Sequence, residues 1–289
     1  MDIRAILMGL GFALMWSSAF TSARIIVSAA PPLTALGLRF LISGLLGITI
    51  ALILGQSWRL TRAQWRATII FGICQNALYL GLNFVAMQTI EASLAAIIAS
   101  AMPLIVGLFS WIFLKERLGK VGIMGLFAGL GGVVIIMGAR LQGGMDLYGV
   151  GLCLIAVFAL AFATLAVRGA ASGGNFLMVV GLQMMVGAVL TGSIGLATEP
   201  LVIDWSTRLV LAFLYTTLVP GLAATLVWFL LVERIGATRA ATFHFLNPFF
   251  GVAIASVLLN EALRLGDLIG VLVIMGGMLA VQLSRQGRV

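Results

Sequence analysis

Polar side chains are scarce in this chain, and several stand at helical spacing inside long apolar runs. Asn76, Tyr79 and Asn83 follow one another at i, i+3 and i+7, which places them on one face of a helix. His244 and Asn247 show the i, i+3 spacing again, with Pro248 directly after them. Trp16 precedes Ser17 and Ser18, Ser100 stands just before Pro103, and Tyr215 and Trp228 flank the pair Pro220-Gly221. Aromatic faces give an apolar or cationic ligand a stacking surface. Amide, hydroxyl and imidazole groups give a small metabolite hydrogen bonds at its polar ends. The chemistry these residues suit is recognition of a small molecule. The candidate binding residues are Trp16, Asn76, Tyr79, Asn83, Ser100, Trp228, His244 and Asn247.

Bond-making chemistry finds no support. There is one histidine, and the two cysteines, Cys74 and Cys153, stand far apart in apolar runs. The acidic residues Asp2, Glu91, Glu116, Asp146, Glu199, Asp204, Glu233, Glu261 and Asp267 all fall in connections or at the ends of apolar runs. These groups cannot assemble the usual metal sites or catalytic triads, and no phosphate-loop lysine motif is present. No enzyme activity, metal or cofactor is expected. Each candidate also has a packing reading. His244 serves equally as a hydrogen-bonded packing residue between helices. Trp228 and Tyr215 suit an interfacial belt as well as a cavity. Arg39 either extends along its helix to the membrane surface or meets a ligand, with the first reading favoured. Gln183 stands at the position equivalent to Arg39 in an internal repeat.

The elements that hold these residues follow from composition. The 289 residues are 62% hydrophobic and only 9% charged, with a mean hydropathy of +1.19. A soluble domain carries roughly a quarter charged residues, so the solvent of this chain is lipid. Apolar runs cover 5–27, 34–54, 66–87, 92–114, 120–139, 148–168, 176–196, 208–231, 239–259 and 266–284. Each is close to the roughly 20 residues that span a bilayer as a helix. The first run is too long for a signal-peptide core and is read as the first helix. Long continuous runs, rather than short alternating ones, exclude a β-barrel.

Basic residues set the expected orientation. With the N-terminus cytoplasmic, that side holds Arg4, Arg59, Arg62, Arg66, Lys115, Arg117, Lys120, Arg168, Arg234, Arg239, Arg285 and Arg288. The far side holds Arg24, Arg140, Arg208 and Arg264. This bias predicts a multi-pass protein of an inner (plasma) membrane with both termini cytoplasmic. It also accounts for the net charge of +8 without a nucleic-acid partner; the expected partners are the lipid bilayer and a small-molecule substrate.

The chain also repeats itself at a shift of about 145 residues. Pro103 falls on Pro248, Leu114, Glu116 and Leu118 on Leu259, Glu261 and Leu263, and Gly125, Gly131 and Gly132 on Gly270, Gly276 and Gly277. The expected organisation is a first five-helix repeat at 1–139, a linker at 140–147 and a second repeat at 148–289. Five is odd, so the second repeat must cross the membrane in the opposite sense. Inverted repeats of this kind are the architecture of many secondary transporters. Within the repeats, Gly125 with Gly129 and Gly266 with Gly270 form small-xxx-small pairs, which join helices within one chain or between two. Monomer and homodimer both remain open.

The paired prolines, the two Leu-x-Glu-x-Leu motifs and the two glycine-rich fifth spans resemble the EamA repeat of the drug/metabolite transporter superfamily. The resemblance covers essentially the whole chain and is strongest toward bacterial aromatic amino-acid exporters. It implies an all-α integral membrane fold of ten transmembrane helices, built as two inverted five-helix repeats around a central cavity. It further implies export or facilitated movement of small metabolites, amino acids among them. The alternative within the superfamily is an exporter of drugs or hydrophobic cations. Pro103, Pro220, Gly221 and Pro248 are the expected hinges, because proline removes a backbone hydrogen bond and bends a helix. Reporter fusions at residues 145 and 289 should report opposite sides of the membrane; a common side would remove the inverted repeat.

Overall fold

The computed structural model describes residues 2–113, 115, 119–141, 146–166, 174–236 and 240–286. Among them every regular element is helical. In chain order they are α1 (Ile3–Val27), α2 (Pro32–Ile53), α3 (Arg62–Ala86), α4 (Ala92–Ile112) and α5 (Lys120–Leu141). There follow α6 (Leu147–Ala166), α7 (Phe176–Thr198), α8 (Thr207–Ile235), α9 (Ala241–Leu246 continued by Asn247–Leu259) and α10 (Leu265–Gln286). Nine are long and apolar enough to cross a membrane, and α9 supplies a shorter apolar helix over Phe243–Leu259. The spans match those expected from hydropathy to within a few residues. Of the sequence features named above, Leu114, Glu116, Arg117 and Leu118, linker residues 142–145, and Arg168, Arg239 and Arg288 lie outside the described residues.

A helix leaves its first N–H groups without partners, and in lipid water does not supply them. This chain supplies them by carboxylates and amides, several reaching across from the other half of the sequence. Glu199, after α7, accepts from Leu33 and Thr34 N–H at the start of α2 at 2.8 and 2.9 Å. Gln56, after α2, accepts from Met178 N–H at the start of α7 at 3.0 Å. Glu261, after α9, accepts from Ala92 and Ser93 N–H at the start of α4 at 2.8 and 2.9 Å. The residue before Glu261, Asn260, is left-handed (φ 54°), as is its repeat equivalent Lys115 (φ 52°). That turn accounts for the second Leu-x-Glu-x-Leu motif: left-handed Asn260 ends α9 and swings Glu261 onto the start of α4.

The two ends of the repeats follow the same logic. Asp2 accepts from Ala5 N–H at 3.0 Å and pairs with Arg234. Asp146 accepts from Tyr148 and Gly149 N–H and from the Thr89 hydroxyl. Asp2 and Asp146 are repeat equivalents, as are Thr89 and Arg234. The Arg234 guanidinium holds the Asp2 carboxyl down at about 2, and the Thr89 hydroxyl lowers that of Asp146.

The chain divides into two compact units, and neither is a sequence repeat. One comprises Met1–Thr21, Thr89–Val150 and Ala223–Val289; the other comprises Ser22–Gln88 and Gly151–Leu222. In the first unit the two fifth spans, α5 and α10, pack through glycine. A Cβ on Gly277 would lie 2.5 Å from Gly125 O and 2.6 Å from Gly129 N, and one on Gly270 would lie 2.8 Å from Gly132 O. Contact between Gly251 of α9 and Ala96 of α4 joins the fourth spans in the same way. In the second unit the two second spans, α2 and α7, pack Gly37 on Gly192 and Gly44 and Gly47 on Gly181. The small-residue faces of the fifth spans therefore join helices of one chain. Without water, close backbone approach and dispersion supply the association energy.

Gly277→Ala should lower the melting temperature in detergent, with a cost of about 1–3 kcal/mol for overpacking. Gly276→Ala, whose Cβ would meet nothing within 4 Å, should leave it unchanged or raise it slightly. Equal effects of the two would remove the α5–α10 glycine contact as a source of stability.

Candidate functional site

Several of the candidate side chains stand where the helices are irregular. In α3 the segment Gly72–Leu80 is π-helical, and in α8 the segment Val219–Ala223 is too. The repeat shift superposes the two segments. The first carries Asn76 and Tyr79; the second carries Pro220 and Gly221. The fourth spans are interrupted instead. Around Pro103 the bonds tighten to three residues, from Ala101 N–H to Ile98 O and from Leu104 N–H to Ala101 O. In α9 the residues Ala241–Leu246 form a 3₁₀ turn that carries His244 and closes with Asn247 N–H on His244 O. Pro103 and Pro248 each occupy the first turn of the helix that follows the break, where a missing N–H costs little. The discontinuity thus lies just ahead of each proline rather than as a bend centred on it.

In the first unit His244 sits in an aromatic cluster. The Phe12 and His244 rings meet edge to face at 5.1 Å and 85°. Trp228 lies 4.9 Å from His244 and 4.8 Å from Phe12, and Trp16 lies 6.4 Å from His244 at 90°. Phe12 is buried, whereas Trp16, Trp228, His244 and Asn247 are half-buried. Asn247 Nδ2 lies 3.0 Å from His244 Nδ1. With the amide donating to Nδ1, the neutral ring carries its proton on Nε2. Ser17 donates to Asn247 O at 3.2 Å, fastening α1 to the start of the α9 helix. Asn247 Oδ1 is buried and has no hydrogen-bond partner among the described residues. Ser100 is buried and donates to Ala96 O within its own helix.

In the second unit Asn76, Tyr79 and Asn83 are all buried, Tyr79 at 4% exposure. Asn76 Nδ2 donates to Gln183 O at 2.8 Å, and Asn83 Nδ2 donates to Tyr79 O at 2.7 Å. The Cys153 thiol donates to Asn83 Oδ1 at 3.3 Å. Gly187 of α7 faces this row, and a Cβ there would lie 2.6 Å from Asn76 Cβ. Pro220 and Gly221 are buried in the same unit.

Arg39 departs from the favoured expectation. It is 6% exposed and does not reach the surface; its guanidinium lies over the Phe40 ring at 5.4 Å. Its position in the third turn of α2 leaves the side chain packed inside the unit. Trp228 is likewise a member of the cluster, whereas Tyr215, 39% exposed, faces outward. Sequence reasoning missed Phe12. Its signal was the i, i+4 spacing from Trp16, which puts both rings on one face of α1. Cys153 and Gln183 carry no local signal for their roles, because their partners lie 70 and 107 residues away.

Among the described residues, nine helices long and apolar enough to cross a membrane and one shorter apolar helix define a multi-pass membrane protein, with polar candidates at several of its broken and π-helical segments. The chain belongs to the EamA-like transporter family, whose model matches residues 3–138 and 147–283. It is 29% identical over 262 residues to the uncharacterized transporter YvbV of Bacillus subtilis (strain 168), covering 90% of this chain and 86% of that protein. It is also 29% identical over 268 residues to the uncharacterized inner membrane transporter YedA of Escherichia coli (strain K12), covering 89% and 84%. The protein PecM of Dickeya dadantii (strain 3937) is 25% identical, covering 93% and 89%. A solved crystal structure shares the fold, with a TM-score of 0.71 at 23% identity and 98% of both chains covered.

Proposed function

We propose that this EamA-family transporter moves small metabolites, amino acids including aromatic ones among them, across an inner (plasma) membrane by alternating access. Both termini are cytoplasmic in this reading, and the net movement is export or facilitated exchange. The observation that carries it is the cluster of Trp16, Trp228, His244 and Asn247, half-buried and backed by Phe12. Stacking faces and amide groups side by side suit a ligand with one flat apolar part and one polar end. The resemblance to the aromatic amino-acid exporter YddG supports the same substrate class.

The substrate-binding residues in this reading are Trp16, Ser100, Trp228, His244 and Asn247 of the first unit and Asn76, Tyr79 and Asn83 of the second. Pro103, Pro220, Gly221 and Pro248 mark the segments that change shape as access alternates. Interrupted and π-helical backbone is weaker than regular helix and so concentrates movement. The second reading is export of drugs or hydrophobic cations, favoured by the same aromatic faces. It is disfavoured by the placement of the described acidic residues at helix ends and in connections, since a cation carrier generally offers a carboxylate at depth.

Tyr79→Ala should lower flux of L-phenylalanine into proteoliposomes several-fold while the protein still inserts and purifies; unchanged flux would remove Tyr79 from the site. Without a carboxylate at depth the transport is downhill, and His244 is the one intramembrane group whose ordinary pKa lies near neutrality. With equal substrate on both sides and an imposed pH gradient, no net accumulation is expected. Accumulation that follows the gradient and disappears in His244→Ala would replace facilitation by proton coupling through His244. Accumulation that survives His244→Ala would place the coupling elsewhere.

A further inference from the structure

Arg39 is a cation inside a membrane span, and among the described residues no carboxylate pairs with it. Its Nε is fully buried and has no hydrogen-bond partner. Burying an unpaired guanidinium is costly, and intramembrane cations that persist face a partner or a transported group. The Phe40 ring, 5.4 Å away, offers only its face.

Polar groups gather in close packing around Arg39. Gly221, in the π-helical segment of α8, keeps the space beside it free of a side chain, and a Cβ there would be in tight contact. That Cβ would lie 3.5 Å from Arg39 Nη2, 3.4 Å from Ser43 Oγ and 3.1 Å from Thr216 O. Ser43 Oγ donates to Thr217 O at 3.3 Å, a long bond that it can exchange for a better acceptor. Nε and Nη2 form one edge of the guanidinium fork, the edge that receives a carboxylate through two parallel hydrogen bonds. The elements bordering this space are α2 and the π-helical segment of α8, both in the second unit.

We propose that Arg39 binds the carboxylate of the transported substrate through its Nε–Nη2 edge, with Ser43 Oγ as an additional donor beside Gly221. The substrate class is then organic acids and amino acids, and amines lacking a carboxylate are excluded. This rests on the amino-acid reading above and narrows it. A carboxylate supplies the missing countercharge only while substrate is present, which couples occupancy to the shape of the π-helical segment next to it.

The test is competition against tritiated L-phenylalanine on the purified full-length protein. The competitors are 3-phenylpropanoate, which keeps the carboxylate, and 2-phenylethylamine, which keeps the amine. In the wild type 3-phenylpropanoate should compete at least 10-fold better than 2-phenylethylamine. Arg39→Gln should weaken L-phenylalanine and 3-phenylpropanoate at least 10-fold and remove the discrimination, and Arg39→Lys should retain part of it. Equal competition by acid and amine in the wild type would overturn the proposal, as would undiminished carboxylate preference in Arg39→Gln. If Arg39→Gln does not fold, Arg39→Lys and the wild-type competition decide. If L-phenylalanine does not bind at all, the amino-acid reading fails. The carboxylate site is then judged from melting temperature alone. A rise with 3-phenylpropanoate in the wild type that is lost in Arg39→Lys or Arg39→Gln sustains it, and no rise in the wild type overturns it.

Discussion

A peptide group in lipid has no water to turn to, so each N–H at a helix start must find an acceptor within the protein or reach the membrane surface. In this chain that demand ties the two halves of the sequence together. Glu199 closes the start of α2 and Gln56 the start of α7, each reaching from the end of the other's helix. Glu261 does the same for α4. A carboxylate at a helix start gains both hydrogen bonds and the favourable end of the helix dipole. In these three caps acceptor and donor come from different repeats, and the compact units take spans from both.

The same demand explains where regularity is relaxed. A π-helical or 3₁₀ segment leaves backbone groups poorly paired, which lipid penalises. Two of those segments carry polar side chains, Asn76 and Tyr79 in α3 and His244 in α9 with Asn247 directly after it, whereas the π-helical segment of α8 carries Pro220 and Gly221. Packing elsewhere is correspondingly tight. The glycine contacts of α5 with α10 and of α2 with α7 bring backbones together with no side chain between them, giving rigid pairs against which the irregular spans can move.

Much of this was legible in the residues. Apolar run length set the ten spans to within a few residues, because bilayer thickness sets helix length. The doubled Pro, Glu and Gly pattern revealed the two five-span repeats, and the shared face of Asn76, Tyr79 and Asn83 followed from helical spacing. What spacing could not reveal is which spans touch. Arg39 shows the consequence: one helix in isolation offers it a path along the surface, and only packing against α8 makes it buried. Phe12 was overlooked for a related reason, since an aromatic in an apolar run is unmarked until Trp228 and His244 are brought to it.

By itself, then, the sequence determined the solvent, the number and length of the spans, the internal repeat and the positions of polar groups along each helix. These are one-dimensional consequences of hydropathy, period and charge. Tertiary structure decided the rest. It decided that the Leu-x-Glu-x-Leu glutamate Glu261 closes a helix of the other repeat, that the fifth-span glycines join helices within the chain, and that the helices break ahead of the prolines. It also decided that His244 lies among rings supplied by α1 and α8. The Glu261 cap joins residues 169 and 168 positions apart, and Ser17 reaches Asn247 across 230. Lipid accepts a lone apolar helix on any of its faces, so the pattern within one span leaves its partners open, and only the joint satisfaction of caps and close contacts selects them.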